Sequence, residues 1–446
     1  MREEKDNLGT VSLSENTLYG INTERAKRNF SLHHKKTNPE LLKAMILVKK
    51  AVAVTYEKLV DPEEKEKFSC IKKACDEVYE ILKIKKEENR ELFPLEALQG
   101  GAGTSTNMNV NEVIANYALI NMGKKPGQYE YIHPLDDVNR GQSTNDVYPT
   151  ALRIASIFLI RELSDACAEL QTALQEKENE FQETKKLGRT EWMDAVPVSL
   201  GEEFGSYAQA IARDRWRIYK VEERLRQVNL GGTAVGLSNH ASHAYRFRVI
   251  EELRRITGLG LACAEYPMDL TQNNDVFVEV SGLLKALSVN LMKIAGDFRI
   301  MNSGPCGGLG EIHLRPMQQG STIMPGKVNP VIPEMVIQCS IRIMANDTAI
   351  TMAAAHGELE LNAFLPLIAD CLLESLSLAK EAVRIFKEDC VKTLKADESN
   401  CKRHLENSYA FATAYTEALG YDRVASVVKN NSPTEARKIL DEMKKE

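Results

Sequence analysis

No stretch of the chain approaches the ~18 consecutive apolar residues of a membrane span. The polar start, MREEKDNLGT, also lacks the basic segment and apolar run of a secretory leader, so the protein is expected to stay in the cytoplasm. Its nine cysteines form an odd set without a CxxC pair, scattered mostly through apolar helical patterns, and they read as buried thiols. The eight histidines contain no HExxH. The close pairs His33/His34 and His240/His243 read as structural or surface groups, and no metal site is expected. Nor is there an excess of one charge: 57 basic against 63 acidic side chains leave a formal net charge of -6. That balance favours neither nucleic acid nor an acidic membrane surface, and points to a small-molecule ligand. Internal repeats and low-complexity tracts are missing as well.

What is present is helix. The 446 residues, 43% apolar and 27% charged, suffice for two or three domains around a large core. From Asn145 onward, apolar residues recur at three- and four-residue steps. One seam carries Phe277, Val280, Leu284, Leu287, Leu291, Ile294 and Phe298; another Ile160, Leu163, Cys167, Leu170 and Leu174; a third Phe204, Ile211, Ile218 and Leu225. Stretches 333–355 and 362–386 read the same way, which gives five long helices. Some approach thirty residues, ~45 Å at 1.5 Å per residue, and several are apolar over more than one face. The expected architecture is all-α: a mainly helical domain over 1–138, a central five-helix bundle over 139–391 and a small, shortened terminal domain over 392–446. Oligomerisation through the bundle follows from the wide apolar faces.

The breaks between these helices collect glycines, hydroxyls and amides: GGAGTSTNMN (100–109), HPLDDVNRGQSTND (133–146), LGRTEWMDAVP (187–197), NLGGTAVG (229–236) and the long segment 303–330. Any one cluster would serve to cap a helix. Several together make neutral donors for an anion, especially a carboxylate gaining charge in a transition state. GSTIMPGKVNP (320–330) fails as a phosphate loop, because five residues separate its glycines and Val328 follows Lys327. It reads instead as a mobile loop bringing a hydroxyl and a cation to a substrate carboxylate. GPCGGLG (304–310) lacks dinucleotide-fingerprint spacing and follows a helical seam, so it reads as a loop that reverses direction.

Taken in order, GGAGTSTNMNVNE, HPLDDVNRGQSTND, GRTEWMDAVP and GSTIMPGKVNP resemble the aspartase/fumarase superfamily, as do YGINTERA (19–26) and HGELELN (356–362). The resemblance covers roughly residues 2–425. AGTS (102–105) and VIPE (331–334) look like aspartases, where fumarases usually show SGTQ and TQCE. It implies a homotetramer whose central bundle takes five helices from each subunit, with active sites shared among three chains. It also implies deamination of L-aspartate to fumarate through an enediolate dianion, with no cofactor. By the same resemblance Ser321 is the base. Thr104, Ser143, Thr144 and Thr322 hold the β-carboxylate; Lys327, Asn329 and Thr190 take the α-carboxylate; and Asn145 meets the amino group. Glu334 and His133 match supporting positions.

The sequence departs from the family at Glu191, where His or Gln usually follows GRT. A carboxylate there either turns away to pair with a nearby cation or faces the substrate ammonium. Leu135, Gly141 and LSNHASH (237–243) depart too, and the C-terminus is shorter than usual. The competing readings are a class II fumarase-type hydratase, a lyase for another amino-dicarboxylate and a non-catalytic structural homologue.

Overall fold

The computed structural model describes residues 1–84, 89, 91–239 and 241–445, so His240 lies outside the described residues. The five expected helices are present as Thr144–Glu180, Leu200–Leu225, Asp275–Met301, Val331–Ala355 and Leu365–Ile385. Their apolar seams are buried as the spacing requires: Phe277, Leu287 and Phe298 are fully enclosed, as are Phe204, Ile211, Leu163 and Leu170. Among the described residues, no helix is long and apolar enough to cross a membrane. Small two-stranded pairings interrupt the otherwise all-α chain.

Contacts divide the chain into two compact units, and the divisions fall inside the five long helices. The first unit comprises residues 1–162, 218–284 and 343–377. It opens with the hairpin Arg2–Asp6/Gly9–Leu13, followed by helices Ile21–Asn29, Pro39–Leu59, Pro62–Ile84 and Thr104–Asn121. Asn38 caps the Pro39–Leu59 helix by accepting the Glu40 N–H at 2.9 Å, and Pro39 sits where no amide hydrogen is needed. The Tyr56 ring from that helix stacks on Phe68 and Tyr245 at 5.3 and 5.1 Å between centroids. Buried Glu112 in the Thr104–Asn121 helix accepts the amides of Gly20 and Asn22 at 2.8 Å and the Thr23 hydroxyl at 2.6 Å. A carboxylate at the exposed amides of a helix start pins that start in place.

The second unit comprises residues 163–217, 285–342 and 378–446. Phe204 packs against Phe181, Tyr207 and Phe298, and Phe298 in turn against Phe386. The segment after residue 391 forms short helices, with Phe411, Val424, Ala436 and Leu440 as their own small core.

The thiols correct one expectation. Cys75, Cys167, Cys371, Cys390 and Cys401 are buried, and Cys70 and Cys339 partly so, but Cys263 and Cys306 are exposed. Both exposed residues lie where helical periodicity is lost, on a two-residue strand and on a glycine-rich loop, so no apolar face encloses them. The loop reading of GPCGGLG holds: the Gly310 N–H returns to the Ser303 carbonyl at 2.9 Å, and the Leu309 N–H reaches the Ser303 hydroxyl at 3.0 Å.

Candidate active site

In the first unit, two helix starts meet. The Thr104–Asn121 helix begins after Gly103, whose φ of 90° belongs to the left-handed region. A Cβ on Gly103 would lie 2.3 Å from the Tyr148 ring in the Thr144–Glu180 helix, so only glycine lets the two starts approach. One turn into the first helix, the Asn107 side-chain amide donates to the Thr144 hydroxyl at 3.0 Å. The cluster therefore gathers Thr104, Ser143, Thr144 and Asn145 around two N-termini, where orphan amides and helix dipoles favour anions. Each side chain has a defined state. Thr104 donates its hydroxyl to the Gly101 carbonyl at 2.7 Å, so it must rotate before donating elsewhere. The Ser143 hydroxyl accepts the Asn145 N–H at 3.2 Å. Asn145 gives its amide NH2 to the Ala234 carbonyl at 2.8 Å, which leaves its acceptor oxygen for a cationic partner.

Behind this surface lie groups that the motif comparison did not single out. Asp146 is fully enclosed and accepts the Ser143, Gly231 and Thr233 amides at 3.0–3.1 Å, which ties the NLGGTAVG loop to the helix start. Burial raises its pKa to about 6 against the pull of those amides and of Lys49. Lys49 is also enclosed, and donates to the side-chain oxygens of Asn139 at 2.9 Å and Gln142 at 3.0 Å. Burial lowers its pKa to about 7, with Asp146 opposing the shift. In the sequence Lys49 stands among the largely apolar residues 41–54 of its helix, nearly all of them buried, which is a signal that it is enclosed.

His133 serves a local purpose. Its Nδ1 accepts the Leu135 and Asp136 amides at 3.2 Å, capping a single wide helical turn over Pro134–Val138.

In the second unit, the 316–328 segment curls around a cleft of about 600 Å³. The Ser321 Oγ accepts two backbone amides, Ile323 at 3.2 Å and Met324 at 2.8 Å. The loop is closed at its neck: the Gly320 N–H donates to the Lys327 carbonyl, and the Asn329 side chain to the Gly320 carbonyl, both at 2.9 Å. A Cβ on Gly320 would sit 2.4 Å from that Lys327 oxygen. Thr322 and Lys327 are exposed. Lys327, Asn329 and Glu334 line a second cleft with Arg299, His313 and Asp397. Arg299 approaches Glu334 at 3.8 Å. The Asn400 amide, the Ser399 hydroxyl and His313 hold the Asp397 carboxyl down at about 2.

Thr190 and Glu191 occupy the tip of the hairpin Lys185–Thr190/Met193–Ser199, and Glu191 and Trp192 form its two-residue turn with φ of 53° and 69°. Glu191 is exposed and makes no ion pair among the described residues, so the expected alternative of pairing with a neighbouring cation is not realised. No hydrogen bond joins Thr190 or Glu191 to the 320–330 loop among the described residues. The hairpin is anchored from below, where fully buried Glu311 pairs with Lys186 and Arg189, each at 2.8 Å. Burial pulls the Lys186 ammonium down, but Glu203 and Glu311 outweigh it and leave its pKa above the usual value.

A family model described as lyase matches residues 9–345. The aspartate ammonia-lyase of a Bacillus species is 41% identical over 429 residues, spanning 96% of this chain and 90% of that protein. That of Helicobacter pylori strain J99 is 40% identical over 431 residues, spanning 96% and 91%. Among solved structures, the fumarate lyase:delta crystallin from Brucella melitensis bound to cobalt superposes with a TM-score of 0.93 at 41% identity, covering 100% of this chain and 98% of that one. Recombinant class II fumarase from Schistosoma mansoni gives 0.92 at 30% identity, covering 99% and 95%. Likeness of this extent, running through every loop that carries the clusters above, places the chain in the lyase family, within the fumarate lyase superfamily.

Proposed function

We propose that this chain is an aspartate ammonia-lyase, a carbon–nitrogen lyase that converts L-aspartate to fumarate and ammonia. The observation that carries the choice within the superfamily is identity: relatives named aspartate ammonia-lyase stand at 40–41% over nearly the whole chain, against 30% for the class II fumarase.

The chemistry begins with the C3 proton, which passes to the Ser321 oxygen while the C–H electron pair moves into the β-carboxylate as an enediolate dianion. The C2–N bond then breaks and ammonia leaves. A serine hydroxyl is a poor base at neutral pH unless its alkoxide is stabilised. The amides of Ile323 and Met324, both aimed at Oγ, support that role, because donors to the anionic form lower its cost. Thr104, Ser143, Thr144 and, on loop closure, Thr322 are assigned to the β-carboxylate. They contribute to rate to the extent that they bind the dianion more tightly than the ground state. Lys327, Asn329 and Thr190 take the α-carboxylate and fix which hydrogen faces the base. Asn145 offers its amide oxygen to the ammonium, and Glu191 is assigned to the same group as a negative charge.

The working form we propose is a cytoplasmic homotetramer with sites assembled from three chains. Large apolar side chains exposed on the long helices support it, among them Trp216, Tyr219, Val289, Ile341 and Met352. Absorbance of fumarate formed from L-aspartate tests the activity. Fumarate formation from L-malate alone would favour the hydratase reading instead.

A further inference from the structure

The side chains behind Thr144 form a hydrogen-bonded chain whose direction is determined. The backbone carbonyl of Gln142 can only accept, so the Asn139 atom 3.2 Å from it is the amide nitrogen, and the Asn139 atom 2.9 Å from the Lys49 nitrogen is the amide oxygen. The Asn139 oxygen also receives Asn107 and Asn111, each at 3.1 Å, so both must present their NH2 groups to it. Asn107 is thereby oriented, and its second amide hydrogen reaches the Thr144 hydroxyl oxygen at 3.0 Å. Thr144 is thus an acceptor on its inner side. Its own proton has no acceptor among the described residues and is left for a ligand at the two helix starts.

We propose that Asn107 is a positioning residue that aims the Thr144 proton at the substrate β-carboxylate, an orientation imposed by Asn139, which the Gln142 carbonyl holds in place. The inference rests on the lyase reading and deepens it. A hydroxyl free to rotate would divide its time between donating to the substrate and donating inward. A hydroxyl already accepting from Asn107 is committed before the enediolate forms, and donors that need no reorganisation give the largest stabilisation of developing charge. Burial strengthens the last link, since the Asn107–Thr144 bond is enclosed and Lys49, Asn107 and Asn111 are all at most 1% exposed, while Asn139 is partly exposed.

The test is a double-mutant cycle on the full chain, read as kcat and KM for L-aspartate. Asn107→Asp keeps the shape but replaces the donor with an acceptor, turning the Thr144 proton inward. It is expected to lower kcat about 100-fold with KM changed less than about threefold, the scale of losing one donor to developing charge. Asn107→Leu, which frees the hydroxyl without reversing it, should cost about tenfold and serves if the Asp variant does not fold. In a Thr144→Val background both effects should nearly vanish, since residues acting through one another are not additive. An active wild type whose Asn107 and Thr144 losses multiply, or whose kcat is untouched by either Asn107 variant, overturns the inference alone. A folded wild type that forms no fumarate from L-aspartate overturns the lyase reading, and the inference with it.

Discussion

The Ser321 Oγ lies 2.8 Å from the Met324 backbone nitrogen and accepts its N–H, with the Ile323 N–H as a second donor at 3.2 Å. This arrangement makes the 320–330 loop more than a flexible flap. The loop folds on itself so that its own amides face the oxygen expected to take a proton, and it carries Lys327 and Asn329 on its returning arm. A base built this way depends on loop shape, and loop shape depends on Gly320.

Gly320→Ala is therefore expected to damage turnover without unfolding the protein. The added Cβ would press on the Lys327 carbonyl at 2.4 Å, forcing the neck of an exposed loop open. Displacing reacting groups by about 1 Å costs roughly 100-fold in rate. Steady-state kinetics should show that loss in kcat/KM for L-aspartate, while the thermal transition stays where it was. A lowered transition with intact specific activity would contradict this.

Glu191 is exposed and unpaired among the described residues, at a turn tip where its backbone is already in the left-handed region. If its charge serves the substrate ammonium, Glu191→Gln should raise KM for L-aspartate about two- to fivefold, the modest effect of a solvent-exposed charge pair. The effect should shrink as salt rises. Unchanged affinity and turnover at low ionic strength would remove Glu191 from substrate recognition.

Asp146 makes a prediction about pH and stability. Its folded pKa of about 6 lies above the ordinary value of 3.8, so between those two pH values the folded chain holds a proton that the unfolded chain has released. Its contribution is fully present below pH 3.8 and is lost as pH rises through about 6. Relative to Asp146→Asn, the wild type should lose denaturant resistance across that window and show a constant difference above it. Parallel urea midpoints for the two proteins from pH 4 to pH 7 would rule this out.

The helices were legible because their evidence is local. Phe277 to Phe298 repeats at helical spacing, and every member of that seam is buried. The loop motifs were legible through resemblance, which named Ser321 and Lys327 but not what surrounds them. The Lys49–Asn139–Asn107–Thr144 chain was hidden, since its links join residues 90, 32 and 37 positions apart and Asn107 sits in a helix with little amphipathic pattern. Glu311 was hidden for the same reason: its partner Arg189 is 122 residues away, and nothing in LGEIH marks a fully buried carboxylate. Cys263 and Cys306 were misplaced because apolar context near a residue does not fix which way a loop turns it.

The central claim is that this chain deaminates L-aspartate with Ser321 as the base. The direct measurement follows fumarate absorbance for the wild type and Ser321→Ala, each given L-aspartate and, separately, L-malate. The account predicts fumarate from L-aspartate with the wild type, none from L-malate, and a loss of at least about 1,000-fold in kcat for Ser321→Ala, within the range for removing a positioned base, with the folded state unchanged by circular dichroism. A Ser321→Ala protein that turns over L-aspartate at the wild-type rate would contradict it.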